Sequence, residues 1–508
     1  MSRPEQSPLI PDRRSEHFAA IDLGSNSFHM IVERRVGVDR FEVLDRIKEP
    51  VRLAEGLSRG KGLSPEAERR ALDCLIRFGE RVRGFAEHSV RAVGTSALRR
   101  AKQADLFLAE AQRVLGHGIE IVSGREEARL VYLGVCRDMG QTEEERLVFD
   151  IGGGSTEIVR GLGMKPQVLE SANMGCVGFS EKFFPGGQLS AAHFDAAVLR
   201  ARLELRPLVP RFGKSRPSRV LGASGTVRSI GQILEVSGLG AGSITFEGLT
   251  ALRKRLIDVG QLENLQLPGL SKQRRPVLPG GLAILLALCE DLGFEEVEIA
   301  GGALREGLLY DLAKRWQQQD PRAHSIRELL QRFRVDVAQG QRVARTAERL
   351  WEVVRSHWGL DDPEERQWLH WAAELHEIGL GIAHPGYHKH GAYIISHSDM
   401  PGFSRQEQEV LAVLIGSHRR TLRSEILEGI ANRDRPRVLR LIILLRLAFL
   451  LHRSREQIDV DRIGIEVTAK GLRLSFDAEW RAARALTIAD LSREARKLRK
   501  QDFELVLA

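Results

Sequence analysis

A short pattern occurs twice in this chain: an apolar run, an aspartate, a glycine-rich turn that carries hydroxyl groups, and a second apolar run. The first copy is Asp22-Leu-Gly-Ser-Asn-Ser27, which follows Phe18–Ile21, and the second is Asp150-Ile-Gly-Gly-Gly-Ser155, which follows Leu147–Phe149. Short apolar runs bounded by turn residues are typical of buried strands. Each copy therefore predicts a strand that ends near an aspartate, a tight turn and a returning strand.

The turn itself indicates a phosphate site. Glycine lets the backbone approach a ligand closely, and successive N–H groups in a tight turn form a concave anion site. Ser25, Ser27, Ser155 and Thr156 add hydroxyl donors, and an aspartate at the strand end can hold a hydrated divalent cation. One such turn is common in ordinary hairpins, but two copies predict loops that grip phosphates from both sides. The pair resembles the phosphate loops of the superfamily of actin, sugar kinases and heat-shock ATPases, which have two ribonuclease-H-like α/β domains around a phosphate cleft.

Composition indicates the number of domains, the kind of ligand and the cellular compartment. The chain has 508 residues, 43% of them hydrophobic, and a net charge of +8, so we expect several domains and a polyanionic ligand. Four scattered cysteines without a CxxC pair favour a reducing compartment. The apolar run Leu441–Leu451 is too short to span a bilayer and carries Arg446, which indicates a buried helix. We therefore predict a cytoplasmic protein without a transmembrane segment, with peripheral membrane association as the alternative.

The order of predicted elements gives the fold class and the domains. Strand and helix signals alternate up to about residue 317, and beyond Asp320 the chain is mostly helical. The predicted fold is α/β, with two ribonuclease-H-like domains flanking a phosphate cleft, a mostly α-helical C-terminal domain and a small terminal α+β piece. The predicted boundaries are 1–14 for a flexible leader, 15–134 and 135–317 for the two α/β domains, 320–458 for the helical domain and 459–508 for the terminal piece.

Two further sets of carboxylates are candidates for chemistry. Ser123 is a plausible helix cap, and Glu126 and Glu127 follow it at the start of the predicted helix. Glu126 fits a capping role, whereas Glu127 points about a quarter-turn away and could orient or deprotonate an attacking water if it faces the cleft. Glu157 shares a strand face with Ser155 and could complete a cation site with Asp150; the alternative is a solvated hairpin residue.

Six ordered motifs together resemble a known family. They are Asp22-Leu-Gly-Ser-Asn-Ser-Phe-His29, Gly94-Thr-Ser-Ala-Leu-Arg99, Ser123-Gly-Arg-Glu-Glu-Ala-Arg129, Asp150-Ile-Gly-Gly-Gly-Ser-Thr-Glu157, Gly222-Ala-Ser-Gly-Thr226 and Gly302-Ala-Leu-Arg-Glu-Gly307. Over about residues 15 to 500 the chain resembles the exopolyphosphatase / guanosine pentaphosphate phosphohydrolase family of bacteria, and long exopolyphosphatases in particular.

The resemblance implies a role for each site residue. Glu127 is implied as the catalytic base, Asp150 and Glu157 as ligands of Mg²⁺, and Arg99 as a side chain that reaches the substrate. K⁺ is a candidate activator. The phosphate- and substrate-binding candidates come from the three glycine turns and the strand end near Thr95: Asp22, Gly24, Ser25, Asn26, Ser27, Thr95, Arg99, Gly152, Gly153, Gly154, Ser155, Gly222, Ser224, Gly225 and Thr226.

The C-terminal helices resemble an HD-type phosphohydrolase domain but depart from its metal motif. A working HD site needs a His, a His-Asp pair and a later Asp around a divalent cation. Here the pair is His376-Glu377, and Val337–Arg345 contains no histidine. We therefore predict no second active site. The alternatives are a solvated basic face or a basic channel for a polyanion, formed by Arg334, Arg342, Arg345, Lys389, His390, Arg419 and Arg420.

The predicted function is an exopolyphosphatase that processively removes terminal phosphates from inorganic polyphosphate. The alternative is the same chemistry on the 5′ end of guanosine pentaphosphate (pppGpp), since the motifs do not separate the two and only the basic charge favours polyphosphate. An alternative of another class is a protein that binds polyphosphate or nucleic acid without turnover, which an intact Glu127 disfavours. We expect a homodimer and no specific nucleic-acid partner.

Overall fold

The computed structural model describes residues 17–36, 41–57, 62–101, 104–139, 143–213, 217–240, 242–316, 320–422 and 424–508. The predicted leader, residues 1–14, lies outside the described residues. The chain divides into two compact units, Met1–Asp320 and Pro321–Ala508. Among the described residues, none of the helices has the length and apolar character needed to cross a membrane.

The first unit begins with a five-stranded sheet in the order β3-β2-β1-β4-β5. Its strands are β1 (His17–Leu23), β2 (Phe28–Arg35), β3 (Phe41–Glu49), β4 (Val90–Gly94) and β5 (Ile119–Ile121). The first three form antiparallel hairpins, β4 adds in parallel beside β1, and β5 adds in parallel beside β4. The first glycine turn therefore follows the end of β1, a central strand of the sheet that is buried on both faces.

A six-stranded sheet repeats this arrangement, in the order β10-β11-β9-β6-β7-β8. Its strands are β6 (Glu145–Ile151), β7 (Thr156–Leu162), β8 (Lys165–Ala172), β9 (Arg219–Ala223), β10 (Ile244–Thr245) and β11 (Glu296–Ile299). Again a meander of three strands is extended by parallel strands, here β9 beside β6 and β11 beside β9. In the two hairpins Asp22 pairs with His29 and Asp150 with Glu157, so His29 occupies in the first copy the place of Glu157 in the second.

Ten α-helices in the described residues of the first unit cover the sheets. They are α1 (Pro65–Val82), α2 (Ser96–Arg100), α3 (Asp105–Leu115), α4 (Gly124–Met139), α5 (Cys176–Phe183), α6 (Ala191–Leu205), α7 (Ser224–Val236), α8 (Phe246–Val259), α9 (Leu278–Leu292) and α10 (Leu304–Trp316). The predicted cap of α4 is present, because the Glu126 backbone N–H donates to Ser123 Oγ at 3.1 Å.

Helices α4 and α10 cross at their glycines. A Cβ at Gly134 would lie 1.9 Å from the Ala303 carbonyl oxygen, and one at Gly307 would lie 1.8 Å from that of Leu130. Only glycine allows so close an approach. The crossing pair shares one buried core with residues of both sheets, including Phe18 of β1, and so fixes α4, which carries Glu127, relative to both sheets.

The second unit is mostly helical with a small sheet. Its helices are α11 (Arg322–Arg332), α12 (Val337–Trp358), α13 (Pro363–Leu375), α14 (Tyr387–His397), α15 (Arg405–Ser417), α16 (Arg435–Leu451), α17 (Ala478–Ala483) and α18 (Ala485–Leu498); its strands are β12 (Gly464–Thr468), β13 (Gly471–Ser475) and β14 (Glu504–Leu507). The apolar run Leu441–Leu451 lies in the buried helix α16, as predicted.

Candidate active site

The two glycine loops face each other. A Cβ at Gly153 would lie 3.0 Å from the Ser25 Cβ, and one at Gly154 would lie 2.7 Å from the Ser96 Oγ. Such spacing is closer than ordinary van der Waals contact, so glycine is needed where the second loop meets the first and α2. The backbone of both loops therefore lies within reach of one ligand.

A cavity of about 220 Å³ lies between the loops. Fifteen of the predicted site residues line it: Asp22, Gly24, Ser25, Asn26, Ser27, Thr95, Glu127, Asp150, Gly152, Gly153, Gly154, Ser155, Ser224, Gly225 and Thr226. The third glycine turn, between β9 and α7, thus closes the same cavity as the repeated pair.

Three predicted residues do not line this cavity. Arg99 lies behind Glu127 and donates to its Oε2 at 2.7 Å and to the Val122 carbonyl at 2.9 Å. Glu157 is buried beside Asp150 and accepts a hydrogen bond from Ser171 Oγ at 2.9 Å. Gly222 lies in β9, where a Cβ would meet Val227 at 2.6 Å, so the structure gives it a packing role. Contact of Arg99 and Gly222 with substrate, and of Glu157 with the metal ion, stays a prediction.

Glu126 and Glu127 diverge, although they are adjacent. The Glu126 side chain is fully buried and pairs with Arg129 through two contacts of 2.8 Å. Arg129 in turn donates to Asp311 at 2.6 Å, which ties α4 to α10. Glu127, 8% exposed, faces the cavity instead and is held by Arg99. It is the carboxylate of this pair that a bound water could reach.

Buried carboxylates repel one another on one side of the cavity. Burial raises the pKa of Asp22 to about 8, and the charges of Glu127 and Asp150 add to the shift against the opposing Arg305. Burial and the Glu127 charge raise the pKa of Asp150 to about 7. Burial, with Glu127 and Asp150 next, raises the pKa of Glu157 well above its usual value. A cation bound here would relieve this repulsion.

The donor set fits a cation that is bound jointly with a substrate. The buried Asp22 Oδ1 has no hydrogen-bond partner among the described residues, and Asp150 lines the same cavity. Within the described parts of the chain, no cluster of three or more His, Cys, Asp or Glu side chains could hold a metal ion unaided. Mg²⁺ usually takes only one or two carboxylates and completes its shell with waters and phosphate oxygens, so these residues suit that ion.

Four cationic side chains that the sequence did not predict as site residues also line the cavity: Lys48, Arg228, Arg274 and Arg305. Arg305 contacts the His29 Nδ1 at 2.5 Å, and His29 accepts this bond as a neutral imidazole because burial, with Arg305 next, lowers its pKa to about 2. Arg305 lies within the motif Gly302–Gly307, which could have indicated it. Lys48 and Arg274 belong to no motif, and only the fold brings them here.

The backbone of the third turn is strained at the cavity wall. Ser224 is a non-glycine residue with φ of +85°, and its Oγ accepts from the Thr226 and Val227 N–H groups at 3.2 and 3.3 Å. A left-handed conformation at a non-glycine residue costs roughly 1–3 kcal/mol and is concentrated at functional sites. The strain is therefore consistent with a ligand site at this turn.

Comparison with known families agrees with this geometry. Residues 30–316 match the Ppx/GppA phosphatase family, and residues 322–495 match domain III of the Ppx/GppA phosphatases. This chain belongs to the Ppx/GppA phosphatase family. The resemblance predicted from the six motifs is confirmed, and the α/β fold class is confirmed at that level. As a member of this family the protein is a hydrolase that acts on phosphoanhydride bonds, as predicted.

Full-length relatives in the Ppx/GppA family carry a more specific name. The chain is 37% identical over 500 residues to the guanosine-5'-triphosphate,3'-diphosphate pyrophosphatase of Pseudoalteromonas atlantica, covering 98% of this chain and 99% of that protein. It is 39% identical over 503 residues to the protein of the same name from Vibrio campbellii, covering 98% and 97%. Both matches run through the two units.

Solved structures of the Ppx/GppA family share the fold of part of the chain. The exopolyphosphatase of Cytophaga hutchinsonii is 23% identical, with a TM-score of 0.53, over 59% of this chain and 98% of its own. The Aquifex aeolicus family member is 22% identical, with a TM-score of 0.51, over 59% and 98%. At these identities the likeness concerns the fold alone.

Proposed function

We propose that this protein hydrolyses the terminal 5′ phosphoanhydride of pppGpp and releases orthophosphate. The observation that carries the proposal is the similarity along the whole chain to proteins named as pyrophosphatases of this nucleotide. The sequence by itself favours inorganic polyphosphate as the substrate, whereas these relatives support pppGpp better. The predicted exopolyphosphatase activity is therefore the second candidate here, supported by the net charge of +8.

The phosphates of the substrate lie between the two glycine loops in this proposal. Backbone N–H groups and the hydroxyls of Ser25, Ser27 and Ser155 contact the phosphate oxygens. Lys48, Arg228, Arg274 and Arg305 line the cavity and offset the negative charge on the transferred group. Because phosphoryl transfer depends mainly on positioning and on charge stabilisation, a cavity with fixed backbone and fixed cations suits the reaction.

Glu127 acts as the general base in the proposed reaction. It faces the cavity, and Arg99 holds its Oε2 at 2.7 Å, which restricts the orientation of the carboxylate. From this position Glu127 accepts a proton from the water that attacks the terminal phosphorus, while the nucleotide leaves with the bridging oxygen. Arg99 is in this scheme a positioning residue.

Asp150 and Glu157, the ligands predicted from the sequence, would hold a Mg²⁺ ion together with substrate oxygens, and Asp22 would add a third carboxylate beside them. When bound, the ion supplies charge neutralisation at the phosphates. K⁺ remains a proposed activator. We further propose that the two α/β halves of the first unit are ribonuclease-H-like domains, that the second unit contains an HD-like domain without an active HD centre, and that the protein is a cytoplasmic homodimer.

The second unit would add affinity for long anionic chains through its basic side chains. A chain that ends at Asp320 should then keep its action on pppGpp and lose affinity for long polyphosphate. That loss should shrink as salt concentration rises, because screening weakens the extra contacts first. An equal loss for both substrates would contradict this role.

One experiment separates the two candidate substrates. The purified protein is assayed for phosphate release from pppGpp and from long-chain polyphosphate at the same Mg²⁺ concentration, with Glu127→Gln as the control for contaminating phosphatase. We expect kcat/KM to be at least about tenfold higher for the nucleotide, a difference of roughly 1.4 kcal/mol in transition-state stabilisation. A preference for polyphosphate would overturn the proposal in favour of the second candidate.

A further inference from the structure

The first of the two repeated hairpins carries a row of three side chains across its sheet. Asp22 on β1 lies opposite His29 on β2, and His29 lies opposite Lys48 on β3. Residues directly opposite each other on antiparallel strands project from the same face of the sheet, and all three line the cavity at the glycine loops. His29 is therefore the central member of a row that faces this cavity.

The second hairpin carries different residues in the same places. There Asp150 lies opposite Glu157, and Glu157 lies opposite Ser171, whose Oγ donates to it at 2.9 Å. The two copies share the aspartate. They differ at the central position, which is a carboxylate in the second copy and an imidazole in the first.

The imidazole of His29 has a cationic partner. Arg305 Nη1 contacts His29 Nδ1 at 2.5 Å, and the two residues are 276 positions apart in the sequence. A guanidinium has only N–H donors, so Nδ1 is the acceptor and the ring is the neutral tautomer protonated at Nε2. The contact joins β2 to the first turn of α10.

The backbone of Arg305 is fixed separately, by its neighbour Glu306. The buried Glu306 carboxylate accepts from the Ala303 N–H at 2.9 Å and from Arg46 Nη1 at 3.0 Å. These contacts hold the start of α10 but do not restrict the long side chain of Arg305. Among the described residues, His29 supplies the single hydrogen bond of the Arg305 guanidinium.

A neutral partner leaves the positive charge of Arg305 available to a substrate. No carboxylate oxygen lies within 4.0 Å of this guanidinium in the part of the chain that the structure describes. Arg228, another cation of the cavity, is also held by a neutral acceptor, since its Nη2 donates to the Gly301 carbonyl at 2.9 Å. A carboxylate in the place of His29 would orient Arg305 equally well, but it would cancel charge that attracts phosphates.

We propose that His29 is a positioning residue of the active site, whose neutral imidazole orients Arg305 towards the phosphoryl group and leaves the arginine fully charged. A guanidinium that an acceptor already holds loses less side-chain freedom when it binds phosphate oxygens. The inference rests on the proposed function in that Arg305 serves phosphate hydrolysis, and it holds for either candidate substrate.

Two substitutions separate the acceptor atom of His29 from the bulk of its ring. His29→Asn keeps an acceptor near the place of Nδ1, whereas His29→Leu fills similar space without one. The assay is kcat/KM for phosphate release by the full-length protein from pppGpp and from long-chain polyphosphate. We expect His29→Leu to lose at least about tenfold and His29→Asn at most about threefold, because a pre-organised donor acts only while it is held in place.

The same two substitutions in the Arg305→Ala protein show whether His29 acts through this arginine. We expect both double variants to have equal kcat/KM, since the acceptor then has no guanidinium to hold. His88→Leu is the matched control. His88 is exposed and does not line the cavity, so this variant should behave like the parent protein.

The kinetic outcomes decide the proposal separately from the choice of substrate. Equal losses for His29→Asn and His29→Leu would overturn it, and so would a difference between them that persists with Arg305→Ala. A parent protein that prefers polyphosphate would overturn the proposed function alone, and the His29 variants would then be compared on polyphosphate.

A spectroscopic measurement decides the proposal where His29→Leu fails to fold or where neither substrate is hydrolysed. Nitrogen-15 NMR of the parent protein at pH 7.5 reports which imidazole nitrogen carries the proton, with the His29 signals assigned by their loss from His29→Asn. An unprotonated Nδ1 that shifts in Arg305→Ala supports the proposal. A protonated Nδ1 would exclude His29 as the acceptor and overturn it.

Discussion

Replacing Glu127 by glutamine tests the proposed base most directly. Glutamine has nearly the same volume, and its amide oxygen can still accept from Arg99, so the ion pair observed at 2.7 Å becomes a hydrogen bond. The change removes the negative charge of the side chain and with it the ability to take a proton. The surrounding cavity and the cationic side chains should be unaffected, and substrate binding should be retained.

The magnitude follows from the role of a general base. Loss of a positioned base lowers turnover by roughly 10²–10⁴-fold, which corresponds to about 2.7–5.5 kcal/mol in activation free energy. The decrease should appear in kcat, with KM nearly constant. Glu127 is also the first charge after burial in raising the pKa of Asp150 to about 7. Its removal should therefore lower the pKa of Asp150 in the Mg²⁺-free protein.

The assay is steady-state phosphate release from pppGpp between pH 5 and 9, with Glu80→Gln as the matched control. Glu80 is exposed on α1 and does not line the cavity, so this variant loses the same charge outside the site and should behave like the parent protein. A kcat for Glu127→Gln within about fivefold of the parent would refute the assignment. An unchanged pKa of Asp150 in a carboxylate titration of the Mg²⁺-free variant would refute the electrostatic argument about Asp150.

Three further predictions concern the same cavity. Asp150→Asn should raise the Mg²⁺ concentration for half-maximal activity about tenfold or more, because an amide is a poorer ligand for a hard cation; an unchanged metal titration would remove that role. Gly225→Ala should raise KM towards that of Arg274→Ala, since the new Cβ would lie 1.8 Å from the Arg274 guanidinium. Gly178→Ala, where a Cβ meets nothing within 4 Å, is the control, and equal kinetics for both glycine variants would contradict the packing argument. Burial raises the pKa of Asp22 to about 8, so the folded state favours the protonated carboxyl. The contribution of Asp22 to the free energy of unfolding is therefore fully present below pH 4, and it is lost as pH rises towards 8, at about 1.4 kcal/mol per pH unit. Asp22→Asn should therefore stabilise the Mg²⁺-free protein against thermal unfolding more at pH 8 than at pH 4. A difference in melting temperature between variant and parent that does not change with pH would show that Asp22 ionises normally.

Local sequence was enough to predict the elements that depend on neighbouring residues. The two hairpins, the aspartates near the ends of β1 and β6, the Ser123 cap and the buried helix around Leu441–Leu451 all follow from periodicity and turn chemistry within a few residues. These signals are short-range, because a glycine turn or a helix cap acts on groups two or three positions away.

The tertiary structure decided which residues surround each charged side chain. Lys48 and Arg274 both line the cavity, although 226 residues separate them in the sequence. Glu126 is tied through Arg129 to Asp311, which lies 182 residues beyond Arg129. Gly222 lies in a predicted motif, yet it packs against Val227 outside the cavity. Such placements depend on strand order and on helix crossing, and the pairing of distant elements leaves no periodic trace around the residues it brings together.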